Sequence, residues 1–116
     1  MKIAVVGSRG LQIADFGEYL PSDCTELVSG GAKGIDRCVA EYAKQKKIPL
    51  TEFLPSYERY GRGAPLKRNE SIIEYADAVL AFWDGRSRGT AYVIEYCKKT
   101  GKPCTVILLE ENEILR

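Results

Sequence analysis

The stretch LVSGGAKGIDR, residues 27–37, changes from an apolar run into an amphipathic helical pattern within a few residues. The apolar run stops at Ser29, and Gly30, Gly31, Lys33 and Gly34 precede the helical pattern. Glycine adopts backbone angles that other residues avoid. Successive N–H groups can then face one concavity at the start of a helix, where the helix dipole also favours negative charge. The segment therefore predicts a strand, a helix and either an anion cradle or a plain turn between them.

The same change from strand to helix recurs along the chain. Short apolar runs predict five strands, at residues 2–6, 26–29, 50–54, 78–83 and 105–109. Helical spacing predicts four helices, near residues 11–20, 35–43, 66–75 and 90–99, with Gly101 and Pro103 ending the last one. Such alternation is typical of a parallel sheet covered by helices on both faces. Right-handed crossovers then favour a three-layer α/β/α Rossmann-like sandwich with a mostly parallel five-stranded sheet, in the order 3-2-1-4-5.

The amino-acid composition of the chain excludes several classes of function. The 116 residues predict a single domain, 1–116, and the net charge of +1 at pH 7 is too small for nucleic-acid binding through bulk charge. Without any histidine, a Ser-His-Asp mechanism, a Cys-His mechanism and a mixed zinc site are excluded within this chain. The four cysteines form no C-x-x-C pair, and three of them lie in apolar surroundings. They predict buried free thiols in a reducing compartment, hence the cytoplasm. The first apolar run is too short for a membrane span, and we expect no metal, cofactor or membrane partner.

Two further loops at the predicted reversal of the sheet resemble the glycine segment. Ligands of such sheets bind beyond the carboxyl ends of the strands where the strand order reverses, here between the first and fourth strands. The first strand leads into Gly7, Ser8 and Arg9, and the guanidinium of Arg9 suits a phosphate through two parallel hydrogen bonds. The fourth leads into DGRSRGT, residues 84–90, which opens a helix. Each loop alone is equally consistent with a simple turn, and their convergence in one topology favours an anion site.

The long connection 55–65 and the start of the third predicted helix add further candidates. Arg68 either pairs with a phosphate or is solvated, and Asn69 either binds a sugar or base or satisfies loop backbone groups. Tyr57 and Tyr60 either stack on a base or pack the loop down. On the functional interpretation, Arg68→Ala weakens ligand binding and leaves stability nearly unchanged.

Four stretches occur in order along the chain: VVGSR at residues 5–9, LVSGGAKGID at 27–36, FLPSYERYGRGAPLKRN at 53–69 and AFWDGRSRGT at 81–90. Together they resemble the SLOG superfamily of Smf/DprA–LOG-like Rossmann domains, in particular its YspA/cpYpsA-related branch of bacterial and phage proteins. The resemblance implies a self-associating domain that binds nucleotides or nucleotide derivatives. Some relatives act on N-glycosidic bonds, and the DprA branch handles single-stranded DNA. The family pattern points to Gly7, Arg9, Ser29, Gly30, Gly31, Gly34, Asp36, Arg68, Asn69, Gly89 and Thr90.

One departure from the superfamily bears on catalysis. The LOG phosphoribohydrolases carry P-G-G-x-G-T-x-x-E at the last motif, and the position of that glutamate is Val93 in this chain. The nearest acid, Glu95, lies two residues further, about 200° around a helix, and so faces elsewhere. Asp36 and Asp84 are then the candidate acids or bases for any chemistry, although a carboxylate near a helix start also serves as a cap.

The sequence leaves three functions open. The first is binding of a nucleotide, an ADP-ribose-like molecule or another phosphate-bearing derivative, as a sensor or recognition module. The alternative is a hydrolase or transferase acting on nucleotide N-glycosidic bonds, and the third is DprA-like binding of single-stranded DNA, which the near-neutral charge disfavours. We expect a homo-oligomer, a dimer, with a contribution from the tail 110–116. The predicted ligand-binding residues are Gly7, Ser8, Arg9, Ser29, Gly30, Gly31, Ala32, Gly34, Asp36, Arg68, Asn69, Asp84, Gly89 and Thr90.

Overall fold

The computed structural model describes residues 1–109 and contains a five-stranded, all-parallel sheet. The strand order confirms the predicted topology and places the first strand at the centre of the sheet. The predicted ends of the first, third and fifth strands differ from the observed ones by one or two residues. The strands are β1 (Lys2–Gly7), β2 (Glu26–Ser29), β3 (Leu50–Glu52), β4 (Ala78–Trp83) and β5 (Cys104–Leu108), in the order β3-β2-β1-β4-β5.

Alternate residues of β1 enter two separate hydrophobic cores, one on each face of the sheet. Ile3 and Val5 pack on one face, and Ala4 and Val6 pack on the other. All four side chains are buried. This double burial explains why the strand has an uninterrupted apolar sequence rather than an alternating one.

Helices cover both faces, as predicted. The first, α1 (Ile35–Lys46), packs on one face of the sheet. A helical turn, α2 (Tyr57–Tyr60), and a 3-10 turn lead into α3 (Ala64–Tyr75), which packs with α4 (Arg88–Thr100) on the other face. The predicted stop at Gly101 is confirmed, because this residue ends α4 with a left-handed φ of 74°. The architecture is the expected three-layer sandwich.

The prediction of a helix near residues 11–20 is wrong. The connection between β1 and β2 contains turns and bends instead, although Phe16 is buried. The ring of Phe16 packs edge-on against two other aromatic rings of the core, with 5.5 Å between ring centroids in each pair. Asp15 accepts a 2.7 Å hydrogen bond from the backbone N–H of Gly17, which closes a turn where a helix would have to continue. Aromatic packing therefore fills the layer expected for that helix.

The connection between β3 and α3 is more helical than predicted. The sequence indicates a third helix from about residue 66, whereas α3 begins at Ala64, directly after the 3-10 turn. Pro65 stands in the first turn of α3, where a backbone N–H is not needed for the helix. Arg68 and Asn69 consequently lie in the second turn of α3 rather than at its start.

The four cysteines are free, but the expected burial holds only for Cys97, and the other three are partly exposed. Burial raises the pKa of the Cys97 thiol to about 12. Within residues 1–109, no cluster of His, Cys, Asp or Glu side chains is arranged to hold a metal ion. None of the helices in the same range is long and apolar enough to cross a membrane. The tail 110–116, expected to contribute to self-association, lies outside the described residues.

Candidate functional site

A cleft of about 410 Å³ lies at the carboxyl ends of β1, β2 and β4, where the strand order reverses. The three loops that leave these strands form its walls together with the first half of α3. Three of the predicted ligand-binding residues, Ser29, Gly31 and Gly34, do not line the cleft. The others do, namely Gly7, Ser8, Arg9, Gly30, Ala32, Asp36, Arg68, Asn69, Asp84, Gly89 and Thr90.

Ser8 joins the loops that leave β1 and β4. This buried residue donates its backbone N–H to the carbonyl of Phe82 at 3.1 Å, and its Oγ accepts from the backbone N–H of Asp84 at 3.2 Å. The two hydrogen bonds fix the separation of the two loops. Arg9 follows as an exposed residue that lines the cleft. The loop after β1 is thus fixed to the loop after β4 by Ser8 and presents the charged side chain of Arg9 to the cleft.

The glycine loop after β2 holds a carboxylate of its own. Asp36, in the first turn of α1, is 9% exposed, and its Oδ2 accepts a 3.0 Å hydrogen bond from the backbone N–H of Ala32. Burial raises the pKa of the Asp36 carboxyl, while the Ala32 hydrogen bond and the charge of Arg68 act in the opposite direction. An N–H group that the sequence assigned to a ligand phosphate is therefore already used within the chain.

Three of the predicted glycines make room for other parts of the protein. A Cβ atom on Gly30 would lie 2.5 Å from Nη1 of Arg68, and one on Gly7 would overlap a side chain at the start of α1. A Cβ on Gly34 would overlap the backbone of Arg9. Gly34 also has a φ of 74°, a conformation that side chains rarely adopt. These glycines permit close contacts between loops of the chain.

Arg68 braces the ends of β2 and β3. Its Nη1 donates to the carbonyls of Gly30 at 2.5 Å and Phe53 at 3.3 Å, and its Nε donates to Oδ1 of Asn69 at 2.8 Å. Burial lowers the pKa of the guanidinium, which still stays charged. This bracing role was not predicted from the sequence. Because Arg68→Ala would remove the donor from both carbonyls, it is expected to reduce stability, contrary to the sequence-based expectation.

The turn after β4 is held by its own acid and leaves one helix start open. Oδ1 of Asp84 accepts hydrogen bonds of 2.8 Å from the backbone N–H groups of Arg86 and Ser87, which lower the pKa of the Asp84 carboxyl. Ser87 caps α4 by accepting from the backbone N–H of Thr90 at 3.4 Å. Nothing lies within 4 Å of the position that a Cβ on Gly89 would take. Space beside the first turn of α4 therefore remains for a ligand.

The charges of the cleft favour an anion. Arg9, Lys33 and Arg68 line it, and its two carboxylates, Asp36 and Asp84, accept hydrogen bonds from backbone N–H groups. Lys33 was missed as a site residue, although it lies within the glycine segment that started the prediction. The other lining residues not predicted are mostly chain neighbours of predicted ones: Val6, Gly10, Pro65, Leu66, Ile72, Ser87 and Val93.

The structure confirms that Glu95 faces away from the cleft. Val93 is buried and lines the cleft. Glu95 is exposed and pairs with Lys98 at 3.7 Å on the outer surface of α4. The cleft wall formed by α4 therefore carries no carboxylate at this position.

A second cavity, of about 570 Å³, adjoins the cleft, and Arg68 lines both. It lies between the loop after β3, the helical turn α2 and the outer side of α3. Phe53, Leu54 and Tyr60 supply apolar and ring surface, and Glu52 supplies a carboxylate.

The tyrosines of the connection do not pack it down onto the core. Tyr57 and Tyr60 are 60% and 42% exposed, and the guanidinium of Arg59 lies 5.4 Å from the ring centre of Tyr60. Both rings consequently remain accessible for stacking.

Comparison with known proteins does not identify a family for the chain. No family model and no solved structure matches the chain. Over 54 residues the chain is 37% identical to the Uncharacterized SPbeta prophage-derived protein YoqJ of Bacillus subtilis (strain 168). The match covers 44% of this chain and 32% of that protein, so the chain spans about a third of its relative's length.

Proposed function

We propose that the protein binds a nucleotide or another phosphate-bearing nucleotide derivative in the 410 Å³ cleft. The observation that carries the proposal is the convergence of Arg9, Lys33 and Arg68 at the reversal of strand order. The two carboxylates of the cleft are engaged by backbone N–H groups, so they oppose an anion less than free carboxylates would. The volume falls within the usual range for small-molecule sites.

The phosphate is best accommodated between Arg9 and the first turn of α4. The open space beside Gly89 lets an anion approach the backbone there. A helix start attracts negative charge through its dipole, and Arg9 adds a fork of donors on the facing loop. The glycine loop after β2 contributes Lys33, while Asp36 occupies one of its N–H groups.

Membership of the SLOG superfamily is part of the same proposal. Its support is that the four motif stretches, residues 5–9, 27–36, 53–69 and 81–90, surround the cleft and the cavity beside it. A dimeric state follows from this assignment as a proposal, and cytoplasmic residence is proposed from the free thiols.

Cleavage or transfer at a nucleotide N-glycosidic bond is the second candidate function. Asp36 favours it, because a buried carboxyl with a raised pKa at the edge of a ligand cleft suits a general acid. Val93 opposes a LOG-like mechanism. If the protein is such an enzyme, it should release free base from a nucleoside monophosphate, and Asp36→Asn should abolish that release. Binding without base release leaves the binding function.

The binding function is tested by titrating the protein with pyrophosphate, AMP, ADP and ADP-ribose. Calorimetry and thermal unfolding measure the binding. At least one probe should raise the unfolding temperature through binding to the native state. Arg9→Ala should weaken that binding about tenfold, the scale of one charge-assisted hydrogen bond. Arg37→Ala is the matched control, because Arg37 is exposed on α1 and lines neither cavity. Absence of binding to all four probes, or equal affinity in Arg9→Ala, contradicts the proposal.

A further inference from the structure

Glu52 ends β3 at the same edge of the sheet as the cleft. Its register partner is Ser29, the last residue of β2. A Cβ on Gly31 would lie 3.6 Å from Oε2 of Glu52, which places this carboxylate against the glycine loop. Its charge also reaches Asp36 and contributes to raising the pKa of that carboxyl. Glu52 therefore stands where the 570 Å³ cavity meets the walls of the cleft.

The other two carboxylates of this cavity are already engaged. Glu70 accepts from the hydroxyl of Tyr92, and Glu74 accepts from the hydroxyl of Tyr96 at 2.8 Å, so that both bind α3 to α4. Within residues 1–109, no hydrogen bond and no ion pair engages the side chain of Glu52. Glu52 is consequently the carboxylate of the cavity that is available to a ligand.

The remaining walls of the cavity suit a planar ring. Leu54 lines the cavity and is 70% exposed, so its apolar surface is accessible to a ligand. Phe53 and Tyr60 add ring surface beside it. Nucleobases bind to proteins through such faces, because stacking does not require a particular hydrogen-bond pattern. A phosphate, by contrast, would meet the unengaged carboxylate of Glu52.

We propose that the 570 Å³ cavity receives the nucleoside half of the ligand and that Glu52 accepts hydrogen bonds from its ribose hydroxyls. The inference rests on the proposed function, with the phosphates passing Arg68 into the cleft. The proposed ligand is a ribonucleoside diphosphate or a diester of one, because its phosphate chain has to extend past Arg68, which lines both cavities. In dinucleotide-binding folds, an acid after the second strand holds the ribose. Here the acid ends the neighbouring strand, β3.

The test compares ADP with 2′,3′-dideoxy-ADP, and uses pyrophosphate to measure the phosphate part alone. Wild type should bind ADP about tenfold more tightly than the dideoxy analogue, because hydrogen bonds to the charged, exposed carboxylate of Glu52 are lost without the hydroxyls. Glu52→Ala should bring this ratio close to one and leave pyrophosphate affinity unchanged or higher. Glu58→Ala, which removes the same charge from α2 outside both cavities, should keep the wild-type ratio.

The outcomes separate the two proposals. If wild type binds pyrophosphate and ADP but does not distinguish ADP from its dideoxy analogue, the assignment of Glu52 is wrong and the binding function stands. The same conclusion follows if Glu52→Ala keeps the wild-type ratio, or if it weakens pyrophosphate as much as ADP. If neither pyrophosphate nor ADP binds wild type, the proposed function fails and the assignment of Glu52 fails with it.

Discussion

The glycine loop after β2 and the glycine turn after β4 have similar sequences, but their glycines face different surroundings. The space beside Gly30 and Gly34 holds the guanidinium of Arg68 and the backbone of Arg9. Beside Gly89 the same space is open. A glycine thus indicates a close approach without indicating what approaches. In the first loop it is the protein itself, whereas no protein atom approaches Gly89, which lines the cleft.

The largest effect should come from replacing a glycine of the first loop. Gly34→Ala would combine a strained positive φ with an overlap against the Arg9 backbone. We expect it to lower the free energy of unfolding by about 3 kcal/mol or more, or to prevent folding. Urea denaturation, or the soluble yield if the variant does not fold, measures the change. A stability within about 0.5 kcal/mol of wild type would show that the loop is free to move away.

Loss of the brace on the same loop should have the next largest effect. Arg68→Ala removes the donor from the carbonyls of Gly30 and Phe53. We expect the free energy of unfolding to fall by about 2 kcal/mol, because charge-assisted hydrogen bonds are lost in a partly buried position. Arg9→Ala should change stability by less than about 0.5 kcal/mol, since Arg9 is exposed. If urea denaturation gives the two variants equal stability, Arg68 does not brace the fold more than Arg9 does, and the two roles assigned here are wrong.

Replacing the glycine of the second loop should weaken ligand binding without lowering stability. Gly89→Ala meets no atom and lies in the first turn of α4, so the protein should be unchanged or stabilised by up to about 1 kcal/mol. Because Gly89 lines the cleft where the phosphate is proposed to lie, pyrophosphate or ADP affinity should fall about tenfold in calorimetry. Gly63→Ala is the control, because a Cβ there also meets no atom and lies outside both cavities. Undiminished affinity in Gly89→Ala argues against a phosphate beside α4.

The smallest effects concern the acids of the two loops, and they should have opposite signs. The folded pKa of Asp36 is raised above 3.8, so its ionisation costs stability as the pH rises through that pKa. Asp36→Asn should then raise the free energy of unfolding at pH 7, with no gain below pH 3.8. The folded pKa of Asp84 is lowered, so its contribution is present at pH 7 and is lost on acidification. Asp84→Asn should therefore destabilise at pH 7. Ligand-free urea titrations at several pH values measure both, and equal signs would contradict the assignment.

The strands and their order were predictable because buried parallel strands need apolar sequences and right-handed crossovers leave few arrangements. The connection containing Phe16 was not, since its burial comes from contacts with distant rings and not from helical spacing. Convergence of the three loops followed from the topology. The brace from Arg68 to Gly30 joins residues 38 positions apart, and no local pattern in the sequence reports such a bond.

The central position of β1 has a consequence for how the chain folds. β1 pairs on one side with β2 and on the other with β4, and the backbone N–H of Lys2 donates to Asp77, 75 positions later. During synthesis, β1 leaves the ribosome well before β4 and must wait for it before its second edge is covered. Pairings between such distant segments form slowly, and unpaired apolar strands invite aggregation. The yield of folded protein should therefore depend on how long this strand stays half-covered, more than on the stability finally reached.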